Sequence, residues 1–175
     1  MKKDQLKLSQ DDNIELLTSI LLEYPLVNTI DMNLDEKWYK LSFLIDDSLT
    51  DESWEKKKKL IEQNFRLFNK LQKQSSEGLK LERYNYEVIN KVMLTRDLEG
   101  ASQKELDFIV SLIKRSFSGK LLEKEENYFS IAQSSIDGLL DKVKDYKPIN
   151  KVGLEYSGFR EEGKIMVFDK SSNVD

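Results

Sequence analysis

Twice along this chain a pair of strand-patterned segments leads into a hydroxyl-capped amphipathic helix. That pattern restricts the fold to helices packed on one face of a sheet with mainly antiparallel neighbours. In the first unit, Leu26–Met32 and Trp38–Ile45 read as strands joined by a turn over Asn33–Glu36. Tyr39, Leu41, Phe43 and Ile45 share one face of the second strand, and Trp38, Lys40, Ser42 and Leu44 share the other. Thr50 then caps a helix, with Asp51 and Glu52 where the macrodipole favours negative charge. Trp54, Ile61, Phe65 and Phe68 fall within about 60° of one another on that helix, and Leu60, Leu67 and Leu71 are expected to broaden the same buried band. Within the tetralysine Lys56–Lys59, Lys57 and Lys58 flank the stripe and must lay their stems along it.

The second unit repeats the plan. Strands are expected from Leu79 to Glu82 and from Val88 to Thr95, and a shift in the alternation at Tyr84–Tyr86 predicts a turn or bulge between them. Ser102–Glu105 has the capping-box pattern, and Leu106, Ile109, Val110, Ile113 and Phe117 follow on one helical face before Gly119. Both units have a strand ending in Asp (Asp46, Asp97), a hydroxyl cap, and apolar residues at matching offsets, although helical periodicity alone generates such offsets. Outside the units, helices are expected over 13–23, where Asp11 or Asp12 serves as cap, and over 123–145, stopping before Pro148. A closing hairpin joins 152–156 to 164–168 across a loop from Ser157 to Gly163. The fold expected is therefore α+β: an antiparallel or mixed sheet of three hairpins with about four helices, two ββα units being a candidate internal repeat. A single domain over 10–170, with flexible termini at 1–9 and 171–175, suits the 175-residue length.

The chain has no histidine and no cysteine. It thus lacks the side chain that titrates near neutral pH, the thiolate nucleophile, and the imidazole and thiolate ligands of zinc and haem iron. Histidine-based triads are excluded, and no cofactor is expected. Gly158–Lys164 has the glycine and lysine spacing of a phosphate-binding loop, but Ile165 stands where the magnesium hydroxyl belongs, a strand pattern follows, and Glu161 and Glu162 fall in the anion cradle. Ser53–Lys56 and Ser111–Lys114 match Ser-x-x-Lys without the companion motifs of the acyl-transfer enzymes.

Three readings remain. Phe108 and Leu112 lie outside the main stripe of the third helix, so that helix is either buried on a second side, under the fourth helix, or presents an aromatic to a partner, with Arg115 beside it. A protein partner or a second copy, as homodimer or adaptor, is the first expectation for function, without catalysis. The alternative is nucleic acid on the middle hairpin, through Lys80, Arg83, Tyr84, Tyr86, Lys91 and Arg96. Residues 53–120 carry fifteen basic residues against nine acidic, yet the net charge of −4 opposes strong phosphate-backbone binding. A carboxylate-held metal at Asp46, Asp47 and Asp97 is the third. No apolar run is long enough to cross a bilayer and Met1–Ser9 has no signal-peptide pattern, so a cytoplasmic protein without a membrane partner is expected.

Overall fold

The computed structural model describes residues 10–74, 78–123, 135–147 and 154–171. The buried row Tyr39, Leu41, Phe43 and Ile45 carries Trp38–Ile45 through the sheet as β2, and the other strands are β1 (Thr29–Asn33), β3 (Leu79–Tyr86), β4 (Ile89–Asp97), β5 (Glu155–Glu161) and β6 (Lys164–Asp169). Every pairing is antiparallel, in the order β3-β4-β2-β1-β5-β6. The helices are α1 (Gln10–Glu23), α2 (Asp51–Leu71), α3 (Gln103–Ser116) and α4 (Ile136–Lys144). The fold is thus α+β on an antiparallel sheet.

The register Leu41↔Leu94 and Phe43↔Val92 aligns apolar residues across the two central strands. Together with Ile30, Met32 and Leu81 they form one buried layer, against which Leu17 and Leu21 of α1, Ile61 and Phe65 of α2, and Ile109 and Ile113 of α3 pack in one cluster. α1 lies over β5 and β6, α2 against α3 and β3, and α4 against α1. Gly158 makes room for α1: a Cβ there would sit 3.0 Å from Leu21 Cδ1 and 3.3 Å from Ile30 Cγ2. Three helices begin with hydroxyl caps, the Thr50, Ser102 and Ser135 oxygens accepting from the amides of Ser53, Glu105 and Gly138.

At the far end of β2, where β1 has stopped at Thr29 opposite Ser42, Lys120–Leu122 takes its place. The Asp46 amide donates to Lys120 O at 2.7 Å, and the Leu122 amide donates to Leu44 O at 2.9 Å. The exit of α3 is thereby hydrogen-bonded to the sheet.

Several expectations are corrected. β3 runs unbroken to Tyr86, and the turn falls at Glu87–Val88, where Glu87 has φ 51°. β1 starts at Thr29, because Leu26 and Val27 lie in the turn that closes α1, where the Val27 amide donates to Tyr24 O. Ser157–Glu161 belongs to β5, and the connection to β6 is only Glu162–Gly163, with φ 47° and 74°. Two successive positive φ values give the backbone hand that suits a tight hairpin. Leu60, Leu67 and Leu71 do not widen the buried band of α2: they are 54%, 57% and 71% exposed. Helix α4 is observed from Ile136, and the expected stretch with Phe129 and Ala132, like Pro148, lies outside the described residues.

Candidate functional site

The most polar part of the interior lies where β2, β4, α2 and α3 meet. Arg96 on β4 and Glu105 on α3 have fully buried side chains, with Nε 3.1 Å from Oε1. Arg96 Nη2 also donates to Glu105 Oε2, Asn69 Oδ1 and Gln74 Oε1, each at 3.3 Å. The guanidinium carbon lies 4.9 Å from the centre of the Phe65 ring. Tyr39 on β2 donates its hydroxyl to Glu105 Oε1 at 2.7 Å. Burial pushes the Glu105 carboxyl above its ordinary range, opposed by the hydrogen bonds from Tyr39 and Arg96 and by the charge of Arg96. Burial, followed by the neighbouring carboxylate, holds the Tyr39 hydroxyl well above its usual value. The adjacent core cavity, lined by Leu16, Met32 and Tyr39 among others, is about 10 Å³, no larger than one water. This cluster therefore joins α3 to the sheet and offers no space for a ligand.

The capping-box expectation is half met by the same residues. Ser102 accepts from the Glu105 amide at 3.0 Å, but the Glu105 carboxylate turns inward to Arg96 and Tyr39. Arg96 accordingly leaves the set of nucleic-acid candidates: a side chain with no exposure cannot reach a phosphate.

The remaining candidates divide by strand register. Arg83 shares the helix-covered face with Leu81, donates to Leu49 O at 2.8 Å and pairs with Asp51, its guanidinium 5.7 Å from the Trp54 ring centre. Lys80, Tyr84, Tyr86 and Lys91 occupy the opposite face, where Tyr84 is directly across from Lys91 and Lys80 pairs with Glu82 at 2.9 Å. Antiparallel pairing also separates the aspartates. Asp97 stands opposite Trp38 at one end of β2, whereas Asp46 and Asp47 follow Ile45 at the other, roughly 24 Å away at a strand's rise of about 3.4 Å per residue. Asp47 is paired with Lys120 at 2.5 Å. Among the described residues, no group of three or more carboxylates is placed to hold a metal ion.

Phe108 lies on the flank of α3 that meets α2, its ring stacked on Phe68 at 4.2 Å and 9°, and 6.2 Å from Phe65. Leu112 is buried in the core cluster, while Arg115 is exposed. Second-side burial of α3 at Phe108 is thus supplied by α2, and residues 124–134 of the expected fourth helix lie outside the described residues. Lys57 completes this seam, donating to Ser116 O at 2.6 Å with its ammonium 5.3 Å from the Phe117 ring centre.

Around α2 from this seam comes a second apolar stripe. At 100° per residue, Leu60, Asn64, Leu67 and Leu71 fall within about 60° of one another and about 110° from the centre of the buried face. All three leucines are more than half exposed. The spacing of four, three and four residues is visible in the sequence; what hid it was its overlap with the broader apolar band of the same helix. Lys59, Arg66 and Lys70 are exposed along its solvent side.

No family model, curated protein or solved structure matches this chain significantly. Among the described residues, no helix is long and apolar enough to cross a membrane.

Proposed function

We propose that this protein is a non-enzymatic interaction domain that docks another protein on the outer surface of α2 beside α3. One observation carries the reading: three leucines of one helical stripe stand more than half exposed while the same helix buries a separate aromatic stripe in the core. Leucines already used for packing would be covered. An apolar stripe left in water is a cost that a monomer gains nothing from, and such patches mark binding surfaces. Phe108, Leu112 and Arg115 serve this surface from α3: the first two fix α2 against α3, and Arg115 supplies charge at the rim.

The test places a photo-cross-linking amino acid at Leu67 in the full chain, expressed in cells of its source, with exposed Glu161 as the control position. A discrete protein adduct from Leu67 and none from Glu161 is the expected result. Irradiation that yields no adduct at Leu67 removes the reading.

A further inference from the structure

Resting on that docking surface, we infer that the segment it receives is an acidic amphipathic helix from a different protein. The 4-3-4 spacing of Leu60, Asn64, Leu67 and Leu71 is that of alternating d and a positions in two heptads, the seam by which one helix interlocks with another. Asn64 lies in the middle of the seam, its amide nitrogen held on Leu60 O at 2.8 Å. A single polar residue at such a position sets register at some cost in affinity.

The two flanks of the seam differ. On one side Ile61 and Phe68 are buried in the core, so α2 places no acidic residue beside the seam there. On the other stand Lys56, Gln63 and Lys70 at the flanking heptad positions, with Lys59 and Arg66 just beyond. Lys56 has Glu52 at 2.9 Å, whereas Lys59, Arg66 and Lys70 have no ion-pair partner among the described residues. Glu55 and Glu62 stand four residues before Lys59 and Arg66, each about 40° further round on the side away from the seam, so the positions that border the seam itself remain Lys56, Gln63 and Lys70.

Charge then selects the occupant. A second copy bound antiparallel through this seam would set Lys56 against Lys70 and repeat the contact by symmetry. A parallel copy would leave both lysine flanks without acids, because the opposing flank of each helix is its own core face. Like charges facing across an interface disfavour that partner, and complementary ones favour the correct one. A helix with leucines on one face and Glu or Asp beside them meets both the stripe and its cationic border.

The experiment titrates the full chain into a labelled three-heptad peptide with Leu at a and d, one central Asn at an a position, and Glu at e and g; a twin peptide has Lys in place of Glu. The Glu peptide is expected to bind, and the Lys peptide not. Raising the salt should weaken binding, and Leu67→Asp should weaken it by about tenfold or more, a loss typical of a central contact. The melting temperature of Leu67→Asp should remain unchanged, which separates lost binding from lost fold. The double variant Lys56→Glu/Lys70→Glu should reverse the preference between the peptides. No binding by the Glu peptide, equal binding of both peptides, or full binding by a folded Leu67→Asp variant overturns the inference. An adduct at Leu67 in cells together with a silent Glu peptide would retain the docking surface and reject the acidic helix; loss of both would reject both.

Discussion

Arg96 and Arg160 both reach from the covered face of the sheet into the helix layer, and both are almost entirely buried, at 1% and 6% exposure. They are stabilised in different ways. Arg96 meets the carboxylate of Glu105, one charge against another between β4 and α3. Arg160, on β5, donates to Val27 O at 3.1 Å, Tyr24 O at 3.2 Å and Leu21 O, main-chain carbonyls at and just beyond the end of α1. Leu21 O is one of the last-turn carbonyls that a helix leaves without internal donors, Tyr24 O also accepts from the Val27 amide, and a cation there suits the macrodipole. One half of the helix layer is thus anchored by a side-chain pair, and the other by a side chain that completes a helix end. A charge pair can be exchanged as a unit for apolar residues; carbonyl oxygens cannot be exchanged at all.

The sharpest way to break this comparison is Glu105→Ala, which leaves Arg96 without its countercharge and the Tyr39 hydroxyl without its acceptor. It should lower stability by about 3–5 kcal/mol in urea unfolding, whereas Arg96→Met/Glu105→Leu should return most of that loss. A double variant no better than the single one would mean that Asn69, Gln74 and Tyr39 matter more than the pair. Next, Arg160→Met should cost about 2 kcal/mol, as several carbonyls lose their donor together, and no apolar partner mutation should rescue it. Smaller again is Ser102→Ala, which removes only the α3 cap and should cost about 1 kcal/mol by the same measurement.

The smallest effect is the most specific to the ion-paired half. Because the Glu105 carboxyl is raised in the folded chain, the folded state keeps its proton at pH values where the unfolded state has released it. Its contribution to stability therefore declines as pH rises from the ordinary carboxylate range through the raised pKa. The difference in melting temperature between wild type and Glu105→Ala should narrow over that interval, and the difference between wild type and Arg160→Met should not follow it.

The parts of this fold that were legible from residues alone are those where one local signal had one use. The alternation of β2 and the caps Thr50 and Ser102 fall where expected, since each depends on spacing that burial alone decides. Signals with two uses misled. Tyr84 and Tyr86 lie on the face of β3 away from the helices, so the change of polarity marks an edge strand changing its environment and not a bulge. Ser157, Gly158 and Arg160 look like a loop, yet Gly158 is small because α1 presses on it, and Arg160 is buried because carbonyls receive it. Glu105 carries a capping signal but is drawn inward by an arginine nine residues earlier in the chain and one strand away. On α2 two apolar stripes share one helix, and composition cannot tell which of them the sheet covers. The Asp candidates failed to assemble for a topological reason: successive strand ends alternate between opposite rims of an antiparallel sheet.

The attachment of α3 at both ends has a consequence for any protein that lands beside it. Its first turn is tied to α4 through the Gln103 amide and Asp137 at 2.8 Å, Asp107 along it accepts from Tyr24 at 2.6 Å, and its exit is stitched to β2 through Lys120 and Leu122. A helix braced in this way has little freedom left to surrender when a visitor settles on its neighbour. Association at α2 should then resemble placing a block on a finished bench, with the cost of ordering falling on the incoming helix alone.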